Sequence, residues 1–281
     1  MKIRLEHITR LDYSTDVIEG VMDVRLGPLS DADQRWDVFT INVTPSGSVR
    51  RYTDGFGNRA HLITVSKPHR MLEVVTRCDV VTSLADPFSA PAQRPRPLTP
   101  SEIADYLQPS ALVPVSDELA AIAERFRPET PDGTFEAVRL MSKYVHDDFT
   151  YRKNVTTVAS TVHDVLVQRT GVCQDFAHLL IGLCRSIGIP ARYVSGYTVS
   201  SASESSDAPI ADTEASHAWA EAYTPMHGWR GFDPTNDLVA STAHIKMAIG
   251  RDYADWPPIR GTFRGQADER LTVTVGTRQV E

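Results

Sequence analysis

Three residues in the second half of the chain have the types and the spacing that nucleophilic acyl chemistry needs. Cys173 follows Gly171-Val172 and opens an apolar run with helical spacing. A cysteine at a helix start meets unpaired amide N–H groups and the positive end of the dipole, and both favour the reactive thiolate. Its own amide N–H is placed to donate to a tetrahedral oxyanion. His217 opens the strand-like run HAWAEAY, and Asp233 closes GWRGFD just before Pro234. Cys173 and His217 are 44 residues apart, His217 and Asp233 are 16 apart. Sixteen residues suit two neighbouring antiparallel strands joined by Thr224-Pro225-Met226-His227-Gly228. In such a hairpin the early end of one strand lies beside the late end of the other, so the carboxylate fixes the imidazole tautomer. The expected roles are nucleophile for Cys173, acid and base for His217, and orienting group for Asp233.

Other polar groups gather around these three. Gln174, Trp219, Tyr151 and Tyr197 are candidates for the substrate cleft. Trp219 and Glu221 alternate with Ala218, Ala220 and Ala222, which puts them on the His217 face of the strand. Asp175 complements the helix dipole. Cys184, eleven residues after Cys173, is read as core packing, and Cys78 as inert. His163, His178, His217, His227 and His244 form no H-E-x-x-H or other tight ligand spacing, so no metal and no cofactor are expected.

These residues need a scaffold. Phe176, Leu179, Leu180, Leu183 and Ile187 repeat at i, i+3, i+4 and i+7 after Cys173, and Gly188 with Pro190 ends that helix. Before it, SEIADYLQ, SDELAAIAERF and TFEAVRLMSKYVHDDF read as helices with Ser, Ser and Thr N-caps. In the third, Phe135, Val138, Met141 and Val145 form one stripe, with Leu140 and Tyr144 beside it. ARYVSGYTV, HAWAEAY and GWRGFD follow as strands, and RLTVTVGTRQV alternates as one more. The polar stretch over residues 200 to 215 directly precedes His217 and is expected to be a flexible lid. Residues 1–85 hold short runs rich in Val, Ile and Thr, separated by Pro45-Ser46-Gly47 and Asp54-Gly55-Phe56-Gly57-Asn58. They predict a small β-sandwich-like domain. Residues 86–100, with five prolines, predict a linker or surface strap, and residues 101–281 the catalytic domain.

Composition narrows the function classes. The net charge of −7 and the lack of a basic cluster argue against nucleic acid as partner. Three cysteines without a C-x-x-C pair argue against a disulfide framework or a thiolate zinc site. The first residues, MKIRLEHITRLDYS, have no apolar signal core, and the longest apolar region is too short to span a bilayer. A cytoplasmic protein with no membrane partner is expected, its thiols reduced. A hydrophobic fraction of 41% is ample for a packed core.

The stretches TGVCQDFAHLLIGLCRSIGIPARYVSGY, SHAWAEAY and GWRGFDPTN resemble the bacterial branch of the transglutaminase-like superfamily. The β-rich segment before them resembles the N-terminal domain that accompanies bacterial members. The resemblance implies an α+β architecture with a papain-like core, in which the helix bearing Cys173 packs on an antiparallel sheet. It implies the same three catalytic roles. Superfamily members include cross-linking transglutaminases, peptidases, peptide N-glycanases and forms without the triad. From the short stretch after Asp233, the extra β-sandwiches of calcium-dependent animal cross-linkers are not expected. A cysteine peptidase or amidase acting on a peptide or protein amide through an acyl-enzyme is therefore expected. The alternatives are an acyltransferase of the transglutaminase type and a non-catalytic interaction module that has kept the triad.

Overall fold

A computed structural model describes residues 1–114, 116–199, 216–255 and 257–280. The chain starts with six strands: β1 (Lys2–Val17), β2 (Glu19–Gly27), β3 (Gln34–Thr44), β4 (Ser48–Thr53), β5 (Arg59–Val65) and β6 (His69–Thr82). From Ile3 to Tyr13 in β1 and from Leu72 to Thr82 in β6 every second residue is buried, as the period-two pattern of the sequence requires. β4 is exposed throughout, so it has no such alternation, and hydrophobic patterning does not reveal it.

Helices follow: α1 (Pro100–Leu107), α2 (Asp117–Glu124) and α3 (Thr134–Asp148). The short strands β7 (Thr150–Tyr151) and β8 (Thr170–Gly171) flank α4 (Val162–Gln168), and then α5 spans Cys173–Ser186. The cap of α1 is Thr99 rather than Ser101. Its hydroxyl accepts from Glu102 N, and Pro100 sits at the first helical position, where its missing N–H costs nothing. Ser116 caps α2 as expected. Thr134 lies inside α3, and its hydroxyl donates to Pro131 O instead of capping.

The core sheet has the order β12-β11-β10-β9-β13, built from β9 (Ala191–Thr198), β10 (His217–Thr224), β11 (Gly228–Asp233), β12 (Leu238–Val239) and β13 (His244–Gly250). On one face Ala218, Ala220, Ala222 and Phe232 pack with α3 and α5. The alanines let α5 lie close to the sheet. On the other face Val194, Trp219, Ala240 and Ile249 meet Leu29 and Phe56 of the β-domain. The arrangement is thus helices, sheet and β-sandwich in layers.

The expected domain boundary needs correcting at the C-terminal end. β14 (Ile259–Arg264) pairs with β2, and β15 (Glu269–Gln279) pairs with β1. The sandwich is therefore two four-stranded sheets, β15-β1-β6-β3 and β14-β2-β5-β4, with the helix-and-sheet core inserted between β6 and β14. RLTVTVGTRQV is a strand, as its alternation predicts, but it completes the β-domain. Period-two patterning says that a segment is a strand and does not say which edge it joins.

Two side-chain amides dock the layers. Gln34 accepts from Lys246 N and donates to Lys246 O, each at 2.8 Å. Asn58 does the same with Ile249 N and O, also at 2.8 Å. Both amides pair with the backbone of β13 as a neighbouring strand would. The segment 86–100 is a strap. Tyr223 Oη donates to Arg96 O, His227 Nε2 to Phe88 O, and Phe88 packs on Phe135.

Candidate active site

Cys173 is the first residue of α5, as the sequence predicts. The turn before it is fixed by Asp175, whose Oδ2 accepts from Val172 N at 2.8 Å and from Thr156 Oγ1 at 2.6 Å. A side chain at position 171 would put its Cβ 2.7 Å from Asp175 Cβ, so only glycine fits there. Burial pushes the Asp175 carboxyl up, against the pull of those hydrogen bonds. Asp175 thus closes the helix start beside Cys173.

His217 and Asp233 meet through the β10–β11 pairing. Ala220 lies opposite Phe232, so Asp233 falls opposite Trp219 and is a diagonal neighbour of His217. His217 Nε2 is 2.7 Å from Asp233 Oδ2. Cys173 acts on the same ring by hydrogen bonding and charge, and Asp233 leaves Nδ1 as the nitrogen open to it. Burial opposes charge on this imidazole, but hydrogen bonds to Asp233 and Cys173 outweigh it, and the ring is raised to about 10. Asp233 is fully buried. Burial there favours the neutral acid, yet hydrogen bonds from His217, His244 and Asn236 hold it well below the ordinary carboxylate range.

The Asp233 carboxylate has five donors. Oδ1 accepts from Thr235 N at 3.0 Å and Asn236 N at 3.3 Å. Oδ2 accepts from His217, from Asn236 Nδ2 at 2.8 Å, and faces His244 Nε2 at 3.4 Å. The Asp-Pro-Thr-Asn turn that supplies three of these contacts is local, and an Asx-type turn after a strand is a signal that sequence can provide. His244 had no such signal. It lies at the start of β13, the far edge of the sheet, and reaches Asp233 because residues 240–243 cross the sheet face.

Trp219 shares the His217 face, as expected. Its indole is fully buried, 6.0 Å from the His217 ring and edge-on to His244 at 5.2 Å. It rests on two glycines. A Cβ on Gly196 would come 2.6 Å from its Cη2, and one on Gly231 3.0 Å from its Nε1. Next on that face, Glu221 is buried with Arg192 (2.7 Å) and Lys246 (3.1 Å), and Lys246 also pairs with Asp31 of the β-domain. These cations hold the Glu221 carboxyl at about 2 although burial opposes it.

The remaining candidates separate. Gln174, beside Cys173, is nearly buried, and its amide reaches Val158 O at 3.4 Å, tying the 152–160 loop to α5. Tyr151 is 38% exposed and lies opposite Gly171 in the β7–β8 pairing that leads to Cys173. Tyr197 does not line the cleft. It is 4% exposed, its hydroxyl bonds His7 Nδ1 at 2.6 Å, and it packs with Ile3, Leu5 and Cys78 between the layers. The other two thiols, Cys78 and Cys184, are buried, and burial pushes each up to about 12. The stretch 200–215, expected to be a lid, lies outside the described residues.

Comparison with known proteins places this geometry in a family. Residues 120–234 match the transglutaminase-like superfamily, and residues 3–81 the bacterial transglutaminase-like N-terminal region. An uncharacterized protein of Mycobacterium tuberculosis is 35% identical over 277 residues, covering 92% of this chain and 87% of that one. One of Mycobacterium leprae is 32% identical over 279 residues, covering 98% and 97%. A protein-glutamine gamma-glutamyltransferase of Pseudomonas aeruginosa is 31% identical over 154 residues, 52% of this chain and 23% of that one. A crystal structure from Cytophaga hutchinsonii, named as a candidate cysteine protease, superposes with a TM-score of 0.75 at 23% identity, covering 100% and 92%, and so has the same fold. The chain belongs to the transglutaminase-like superfamily.

Proposed function

We propose that the protein is a cysteine-dependent amide hydrolase that cleaves a peptide or protein amide through a thioester. The observation that carries this is the chain of contacts from Cys173 through His217 to Asp233. Cys173 sulfur attacks the carbonyl carbon, and the oxyanion that forms accepts from the Cys173 amide N–H at the helix start. The His217 imidazolium gives its proton to the leaving nitrogen as the C–N bond breaks. The neutral ring then takes a proton from water, which attacks the thioester and releases the acid and the thiolate. Asp233 stays ionised throughout and holds the ring.

Acyl transfer is the second reading, favoured by the similarity to a protein-glutamine gamma-glutamyltransferase. It differs only in the group that resolves the thioester, an amine in place of water. The first test is thiol alkylation as a function of pH, with each cysteine located by mass spectrometry, in the wild type and in His217→Ala. Rapid modification of Cys173 well below pH 8.5, lost in the variant, supports a thiolate–imidazolium pair. An ordinary thiol titration in both proteins would sink the enzyme reading and leave a binding module. With a substrate in hand, product formation that depends on added primary amine would select transfer over hydrolysis.

A further inference from the structure

The Asp233 carboxylate is shared by two imidazoles, only one of which the proposed reaction uses. His244 Nδ1 accepts from Ser241 N at 3.3 Å. A neutral imidazole that accepts on one nitrogen carries its proton on the other. Nε2–H therefore faces Asp233 Oδ2, 3.4 Å away. The ring is 6% exposed, and its edge-on contact with the Trp219 indole fixes its tilt.

We infer that His244 is a positioning residue that donates to the Asp233 carboxylate and limits how strongly that carboxylate holds the His217 proton. The inference rests on the proposed role of His217. Oδ2 already takes close hydrogen bonds from His217 at 2.7 Å and Asn236 at 2.8 Å. At 3.4 Å the third donor adds little bonding energy, but its N–H dipole still points at the oxygen that His217 uses, on a fully buried carboxylate. It draws charge from that oxygen. An imidazolium held too tightly is a poor general acid, because its proton must leave during turnover.

The ring's placement draws on both the core and the β-domain. The crossing segment is held by Ala240 N on Gly231 O at 2.9 Å and by Val199 N on Ala243 O at 2.9 Å. Thr82 Oγ1, at the end of β6, donates to Thr242 O at 2.7 Å. The β-domain therefore helps to hold the segment that carries His244 beside the Asp233 carboxylate. The other charged groups on this side are His217 and Glu221 of β10, Lys246 of β13 and Asp33 of the β-domain. All but His217 line, with His244, a cavity of about 30 Å³.

The test is the titration of the His217 ring, followed in ¹H–¹⁵N spectra of protein labelled on histidine nitrogen. It compares the wild type, His244→Phe and His244→Gln. Phenylalanine keeps an aromatic ring against Trp219 and removes the donor, whereas glutamine restores an N–H near the Nε2 position. The expected result is a His217 midpoint raised by at least about half a pH unit in His244→Phe and returned toward the wild-type value in His244→Gln. A folded His244→Phe protein with an unmoved midpoint overturns the inference. Equal displacement in both variants overturns it as well, since that would be a packing effect. Failure of the catalytic reading shows separately, as wild-type Cys173 alkylation that ignores His217→Ala.

Discussion

His217 Nε2 lies 2.7 Å from Asp233 Oδ2, and this contact decides which ring nitrogen faces the sulfur. The carboxylate holds the proton-bearing Nε2 and leaves Nδ1 for the chemistry proposed at Cys173. Asp233→Asn keeps the shape but removes the charge, and the amide can present its NH₂ to the ring. The tautomer is then no longer imposed. We expect kcat to fall by roughly 10²- to 10⁴-fold with an unchanged circular dichroism spectrum. A loss under threefold would show that Asp233 is not the orienting group.

The pH dependence follows from the same contacts. The His217 ring is raised to about 10, so it is an imidazolium across the neutral range and loses its proton as pH climbs through about 10. Proton donation to the leaving nitrogen is available below that pH and vanishes above it. Turnover is expected to keep its plateau past pH 8 and fall near pH 10. In Asp233→Asn the fall should move toward 6.5, the ordinary histidine value. A wild-type profile that falls near 6.5 contradicts the pairing.

Gly196→Ala tests the seat of Trp219. The new methyl would lie 2.1 Å from Ile245 O and 2.6 Å from the indole. Backbone and a fully buried ring cannot both yield, so we expect a loss of about 1–3 kcal/mol or more in urea unfolding. Displacing Trp219 also disturbs His217 and His244, so slower Cys173 alkylation should accompany the loss. Wild-type stability would mean that the sheet opens at β9 more easily than its pairing implies.

Glu221→Gln leaves Arg192 and Lys246 buried with one fewer carboxylate between them. Breaking a buried pair from one side costs about 3–5 kcal/mol. Urea titration should show that loss with an unchanged slope. A change under 1 kcal/mol would mean that Asp31 alone suffices for Lys246 and that water reaches Arg192.

A chain stopped after residue 257 lacks β14 and β15, which pair with β2 and β1. We expect no cooperative unfolding transition and association through the bared edges. A monomeric truncated protein with Cys173 reactivity intact would show that the core folds without a complete sandwich.

Much of the site was legible because its chemistry is spelled by local rules. A cysteine after Gly-Val at the start of an apolar helical run, and a His and an Asp at the two ends of a hairpin, need only short-range geometry to be brought together. Asp175 was legible for the same reason. Tyr197 misled because a tyrosine between strand residues gives no sign of which layer meets it, and here that layer is the β-domain through His7. The exposed β4 and the partner of β15 were hidden for related reasons. One lacks alternation, and the other is fixed by pairing with a strand more than 200 residues away in sequence. His244 was visible as a histidine, but its use depends on a crossing of the sheet that nothing in its neighbours announces.

The division of the sandwich between both ends of the sequence sets an order of events during synthesis. β6 ends at Thr82 and β14 begins at Ile259, with the whole core between them. At about 5–20 residues per second, a ribosome needs roughly 10–35 s to cover that interval. Throughout it β1 and β2 are already made and still lack an outer partner, and Cys173, His217 and Asp233 are each added before it ends. Cys173 is thus made before the β-domain is whole. A nascent chain of this protein has a period in which a chaperone would find open strands and a reagent would find the thiol.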